Sequence, residues 1–171
     1  FFGNINFMKA GLVSADWITT VSPTYRDEIL TPYFGEKLHG VLNSRKEQIT
    51  GILNGIDESI YDPRHDPYIE PYSEEDLSGK KENKKRLQEQ LHLNVEEHIP
   101  VIAIISRLTK QKGLDLVKCV FHEIMQENVQ LIVLGTGEAE FERFFAEMEN
   151  LYPKKVKAIL EFNEEMAHQI Y

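Results

Sequence analysis

Three short apolar runs, Val101 to Ser106, Val129 to Gly135 and Val156 to Leu160, constrain this chain more than any other feature. Each is too short for a buried helix and rich in β-branched residues, as expected of strands covered on both faces of a parallel sheet. Between them, Leu114, Val117, Phe121 and Ile124, then Phe141, Phe144, Phe145 and Met148, recur at helical spacing. Those positions predict two amphipathic helices whose aromatic and Met residues face a core. Strand, helix, strand, helix, strand is the pattern of a Rossmann-like α/β layer with helices on both faces of a parallel sheet. In such sheets ligands gather beyond the carboxyl ends of the strands.

The N-terminal part reads differently. Phe7 to Ala15 predicts a helix, Trp17 to Val21 a strand, and Ser22-Pro23 a helix start that runs to about Leu30 and is closed by Thr31-Pro32. Ser22 is the expected N-cap, with Pro23 at the first helical position. Gln48 to Leu53 has strand character and ends in Asn54-Gly55, a pair that favours positive φ and predicts a tight turn. Between Glu58 and Gly79 stand Pro63, Pro67 and Pro71 among polar residues without periodicity, which marks a connector. The domain reading is therefore 1–57, a linker at 58–78, and 79–171. Lys80 to Leu87 predicts a charged helix with a thin apolar face, Leu87 and Leu91, mostly turned to solvent.

Charge and cysteine usage exclude several functions. A formal net charge of -9 argues against a nucleic-acid binder, which would carry a basic face. The single cysteine, Cys119, permits no intrachain disulfide and fits a reducing, cytoplasmic compartment. No run of 18 apolar residues and no signal-like leader is present, so no membrane partner is expected. The chain begins without Met, from which a segment of a longer protein is expected. Six histidines lie scattered without ligand spacing, so no metal is expected.

Two loops carry candidate chemistry. In Ser106-Arg107-Leu108-Thr109-Lys110-Gln111-Lys112-Gly113, at the ligand edge of the expected sheet, Arg107 offers a fork of donors and Lys112 a compact charge. With the free N–H groups of a helix starting near Lys112 they would clamp a diphosphate. Read from spacing alone, both are better taken as ordinary surface cations on an acidic chain. In Gly135-Thr136-Gly137-Glu138-Ala139-Glu140 the glycines allow a sharp turn and the close approach of a ligand. As a dinucleotide fingerprint this fails at Glu140, whose side chain would crowd helix against strand. Glu161, after the third strand, could mimic a ribose-binding acid, which keeps a nicotinamide-dependent oxidoreductase as an alternative.

Ser106-Arg107-Leu108-Thr109 followed by Gln111-Lys112-Gly113-Leu114-Asp115-Leu116 resembles a hallmark of bacterial glycogen and plant starch synthases. Ile5 to Gly11, Thr20 to Tyr25, Gly51 to Asp57 and Leu131 to Gly137 are similar to that family too, in the family's order. The resemblance implies a two-domain GT-B architecture, with residues 1–57 ending the acceptor-side domain and 79–171 forming the first half of the nucleotide-sugar domain. It implies a retaining transfer of glucose from ADP-glucose to an α-1,4-glucan such as glycogen, without metal or other cofactor. Carried over, Arg107 and Lys112 would bind the distal phosphates and stabilise departing ADP. Asn54 would contact the transferred glucose, and Gly135, Thr136 and Gly137 would line the nucleotide end. Where the family has Gly-Tyr, this chain has Glu161-Phe162. The change keeps a ring near the adenine, at Phe162, but drops a hydroxyl and a glycine. The family's glycine-rich donor loop, first-domain histidine and paired-glutamate motif are absent from these residues, so the chain alone is expected to be inactive. The alternatives are another nucleotide-sugar transferase of the same fold and a non-catalytic nucleotide-binding or interaction module that self-associates through exposed apolar surface.

Overall fold

The computed structural model describes residues 3–171. Phe1 and Phe2, the first residues of the expected first domain, lie outside the described residues. The chain forms two compact units that divide between Asp57 and Glu58.

The first unit holds a parallel pair of strands, β1 (Ile18–Val21) and β2 (Ile49–Ile52), with Ile18 in register with Ile49. Three short helices accompany them: α1 (Phe7–Ser14), α2 (Pro23–Glu28) and α3 (His39–Ser44). Ile18, Ile29, Leu42 and Ile49 form its small core. Asn6 caps α1 by accepting the Lys9 N–H at 2.8 Å, and Ser22 caps α2 by accepting that of Tyr25 at 3.2 Å. Arg45 donates to the carbonyls of Leu12 and Val13 at 2.8 and 2.9 Å, closing the end of α1 where a cation complements the helix dipole. Helix α2 stops at Glu28, shorter than the expected run to Leu30.

The Asn54-Gly55 turn does not form. Neither residue has positive φ, and no turn is formed at 53–57. Because β2 pairs in parallel with β1, no hairpin partner follows it and the pair's turn propensity goes unused.

The second unit is a parallel sheet in the order β3 (Val101–Ile105), β4 (Gln130–Leu134), β5 (Val156–Ile159). Side chains alternate across it. Leu131, Val133 and Val156 face α5 (Leu114–Gln126) and α6 (Ala139–Leu151), packing on Phe121, Phe141 and Phe145. Ile132 and Leu134 face α4 (Ser78–Gln90) and α7 (Glu164–Ile170), packing on Leu87 and Met166. The parallel sheet with helices on both faces is thus as read from the sequence. β4 is buried throughout, whereas β3 pairs, among the described residues, with β4 alone and leaves Ile102 41% exposed, against the expectation of cover on both faces. Leu87 and Leu91 are core, so α4 is more than a solvated helix despite its charge.

Residues 58–77 are fastened to this unit. Asn83 and the Glu70 backbone exchange two hydrogen bonds, at 2.7 and 2.8 Å, and Arg86 pairs with the Glu70 carboxylate at 2.9 Å. Asp62 binds Arg64 and His65, and these hydrogen bonds, Arg64's first, hold its carboxyl well below the usual carboxylate range. Among the described residues no helix is long and apolar enough to cross a membrane.

At the far end of the sheet from the strand carboxyl ends, two buried glutamines lock a loop. Gln88 donates to the Gln130 side chain at 2.8 Å and to the Glu96 carbonyl at 3.1 Å, and Gln130 donates to the Asn94 carbonyl at 2.6 Å. Gln130→Leu removes a partner from both Gln88 and Asn94. It is expected to destabilise the chain by about 1–3 kcal/mol, the cost of stranding buried polar groups, as read by urea denaturation.

Candidate functional site

The carboxyl ends of all three strands open into one pocket of about 310 Å³. Ile105, Ser106 and Arg107 come from the end of β3, Leu134, Gly135 and Thr136 from that of β4, and Glu161 and Phe162 from beyond β5. Tyr61 and Tyr171 complete the wall. A pocket at this edge is where an α/β sheet of this kind is expected to hold a ligand.

The two loops that shape it extend the sheet. The Leu108 N–H donates to the Thr136 carbonyl at 2.9 Å and the Glu138 N–H to the Leu108 carbonyl at 2.8 Å, and Leu108 and Gly137 form a parallel bridge. A Cβ on Gly135 would stand 1.9 Å from the Ser106 carbonyl oxygen, and one on Gly137 2.2 Å from that of Leu108. Both glycines are therefore required by the neighbouring loop. Sequence reasoning assigned that closeness to a ligand; the long-range partner at 106–108 was not visible from local residues.

Arg107 and Lys112 are exposed, and among the described residues neither side chain has a hydrogen-bond or ion-pair partner. On a chain with 28 acidic and 19 basic residues, a cation left unpaired stands ready for an anion. Arg107 lines the pocket and Lys112 does not; it lies in a 3-10 turn, Lys110–Lys112. Helix α5 begins only at Leu114, after Gly113 at φ 73°, rather than near Lys112 as expected.

Phe162 is 90% exposed on the pocket rim, with its apolar face free to stack on a flat ring. Asn163, its neighbour, caps α7 by accepting the Met166 N–H at 2.9 Å and donates to the Glu161 carboxylate at 2.8 Å. That hydrogen bond fixes the carboxylate on the pocket wall. Asn54 is exposed in the first unit, and Gly137 is occupied by the loop contact, so neither joins Arg107 and Phe162 on the pocket lining.

Glu140 does not crowd helix against strand. It is exposed and pairs with Lys118 at 2.7 Å, which lowers its carboxyl pKa. The dinucleotide reading meets a different obstacle, because Glu142 accepts the Gly137 N–H at 2.8 Å and Glu138 and Glu140 stand beside it at the start of α6. A helix N-terminus already neutralised by carboxylates is a poor seat for a pyrophosphate.

Tyr61 and Tyr171 were not anticipated, and neither was a buried pair behind them, Asp66 and His168, at 2.6 Å. Tyr61 lies in the proline-rich stretch, where no periodicity marks a residue as important.

A family model described as the starch synthase catalytic domain matches residues 1–44. Over its full length the chain is 59% identical to the glycogen synthase of Anoxybacillus flavithermus (strain DSM 21510 / WK1) and 55% identical to that of Bacillus licheniformis. It spans 36% of the length of each, so it corresponds to about a third of these relatives. Among solved structures, the catalytic domain of starch synthase IV from Arabidopsis thaliana, bound to ADP and acarbose, superposes with a TM-score of 0.91 at 34% identity. That match covers 98% of this chain and 35% of the other.

Proposed function

We propose that this chain, similar along its whole length to glycogen synthases, is a segment of a retaining glucosyltransferase. That enzyme moves glucose from ADP-glucose to the non-reducing end of an α-1,4-glucan, and this chain supplies part of its donor site. One observation carries the reading: the unpaired Arg107 guanidinium and the exposed Phe162 ring share a pocket at the carboxyl ends of three parallel strands.

The roles follow from charge and shape. Arg107, with Lys112, meets the distal phosphates of the donor. As the glucosyl–phosphate bond loosens, negative charge grows on the phosphate oxygen, and cations already in place stabilise it without reorganising. Thr136 and the Gly135 backbone line the nucleotide end, with Gly137 holding their loop, while Phe162 offers its face to the base. Asn54, from residues 1–57 of the acceptor-side domain, contacts the transferred glucose. Residues 58–78 connect to the nucleotide-sugar half-domain, 79–171. The acceptor 4-hydroxyl attacks from the face the leaving group departs, so configuration is retained. The side-chain cations take the part a metal would play, the working compartment is the cytoplasm, and the chain alone does not turn over.

Two measurements test this. Full-length protein carrying this chain is expected to release ADP from ADP-glucose in the presence of glycogen, and no release refutes the proposal. Calorimetric titration of the chain is expected to show ADP and ADP-glucose binding more tightly than UDP-glucose, because Phe162 and its neighbours see the base. Equal affinities would favour another nucleotide-sugar donor, since Arg107 and Lys112 read only phosphate.

A further inference from the structure

The buried pair Asp66–His168 has no place in that mechanism, yet it lies directly behind the pocket wall. The Asp66 carboxylate and His168 Nδ1 are 2.6 Å apart, with side chains 6% and 4% exposed, and they join positions 102 residues apart. Tyr61 stacks on the imidazole with ring centroids 5.0 Å apart and planes 4° from parallel. Tyr68 packs against the same ring at 5.4 Å, and Tyr171 meets Tyr61 edge-on at 6.1 Å. Tyr61 and Tyr171 both line the pocket, as does Ala167, next to His168 in α7.

A buried polar pair is a weak source of stability, since well-packed apolar side chains of similar volume usually do as well. What a hydrogen bond adds is orientation. An imidazole held at Nδ1 cannot rotate about χ2 without depriving the buried Asp66 Oδ2 of its partner, although Oδ1 keeps the Tyr68 N–H at 2.9 Å, and a lost buried hydrogen bond of this kind costs more than a small change of packing. The ring plane is therefore fixed, and through parallel stacking it sets the plane of Tyr61.

We propose that Asp66 and His168 are positioning residues that hold Tyr61 as an oriented wall of the nucleotide pocket, so that donor affinity depends on a pair touching no ligand. This rests on the pocket being the donor site. The geometry supports it: the stretch that carries Asp66 and Tyr61 is anchored at its other end by the Glu70–Asn83 exchange, and the Tyr61 ring lies flat on the His168 imidazole, 4° from parallel.

The test is steady-state kinetics of the full-length protein with ADP-glucose as the varied substrate, for His168→Gln, Asp66→Asn, Tyr61→Leu and the double variant His168→Gln/Tyr61→Leu. The expected result is a KM raised about five- to twentyfold in each single variant, with kcat changed less than about threefold. In the Tyr61→Leu background, His168→Gln is expected to add less than about twofold, because both act through the same ring. A purely structural pair would lower the yield of folded enzyme, and hence kcat, while leaving KM alone, and its effect would add to that of Tyr61→Leu; either result overturns the proposal. Arg107→Ala, measured in parallel, separates the two readings. If it weakens donor binding while the His168 variants leave KM unmoved, only the positioning role fails. If it too has no effect on donor binding, the pocket is not the donor site and both fail.

Discussion

Arg107→Ala is expected to weaken ADP binding by roughly ten- to a hundredfold, the 1.5–3 kcal/mol carried by hydrogen bonds to a charged group. In full-length protein the fall in turnover is expected to be larger, on the order of a hundred- to a thousandfold, because the charge on the departing phosphate is greatest in the transition state. Arg107→Lys keeps the charge but loses the planar fork and is expected to recover only part of the loss. Lys85→Ala, on the exposed side of α4, removes the same formal charge and is expected to leave ADP affinity within about twofold. Isothermal titration reads all three. An Arg107→Ala chain that binds as well as the parent would mean that the phosphates sit elsewhere.

Gly135→Ala is expected to cost about 3–5 kcal/mol in denaturant unfolding and to remove ADP binding with it. Two penalties combine. The backbone at φ 148° disfavours any side chain, and the new methyl would stand 1.9 Å from the Ser106 carbonyl oxygen, a backbone atom that cannot swing away. Gly113→Ala is the informative contrast. At φ 73° it is strained too, but its Cβ would meet nothing nearer than the Leu116 side chain at 4.0 Å. The expected cost there is about 1–2 kcal/mol, that of a left-handed residue alone.

The elements of the second unit were legible because their signals are local. Continuous apolar runs and aromatic residues three or four apart say strand and helix without reference to the rest of the chain, and Ser22-Pro23 announces a helix start just as plainly. The misreadings share a cause. Asn54-Gly55 has the propensity for a turn, yet β2 runs parallel to its neighbour and calls for none. Leu87 and Leu91 were seen, but the surrounding lysines and glutamates hid that the pair meets Ile132 and Leu134 across the sheet. Gly135 and Gly137 were read as leaving room for a ligand, whereas the body that approaches them in the fold is the loop at 106–108.

Arg107 could be named from its motif, because the residues around it resemble a known family over a contiguous stretch. Its lack of an ion-pair partner, which makes it a credible anion site, is a property of the folded surface. Tyr61, Asp66 and His168 show the reverse. None stands in a recognisable pattern, and the hydrogen bond linking two of them spans 102 positions. Contacts of that range are created by topology, which a pass along the chain does not register.

The ladder between 106–108 and 136–138 bears on how such a site can diversify. Loops at the edge of a sheet usually vary by gaining or losing residues. Here the Leu108–Thr136 and Glu138–Leu108 hydrogen bonds tie the two segments residue for residue, so an insertion in one would throw the other out of step. Their lengths are coupled, and a change of ligand preference must come from exchanging side chains at fixed positions, with Thr136 and Phe162 the two most open to it.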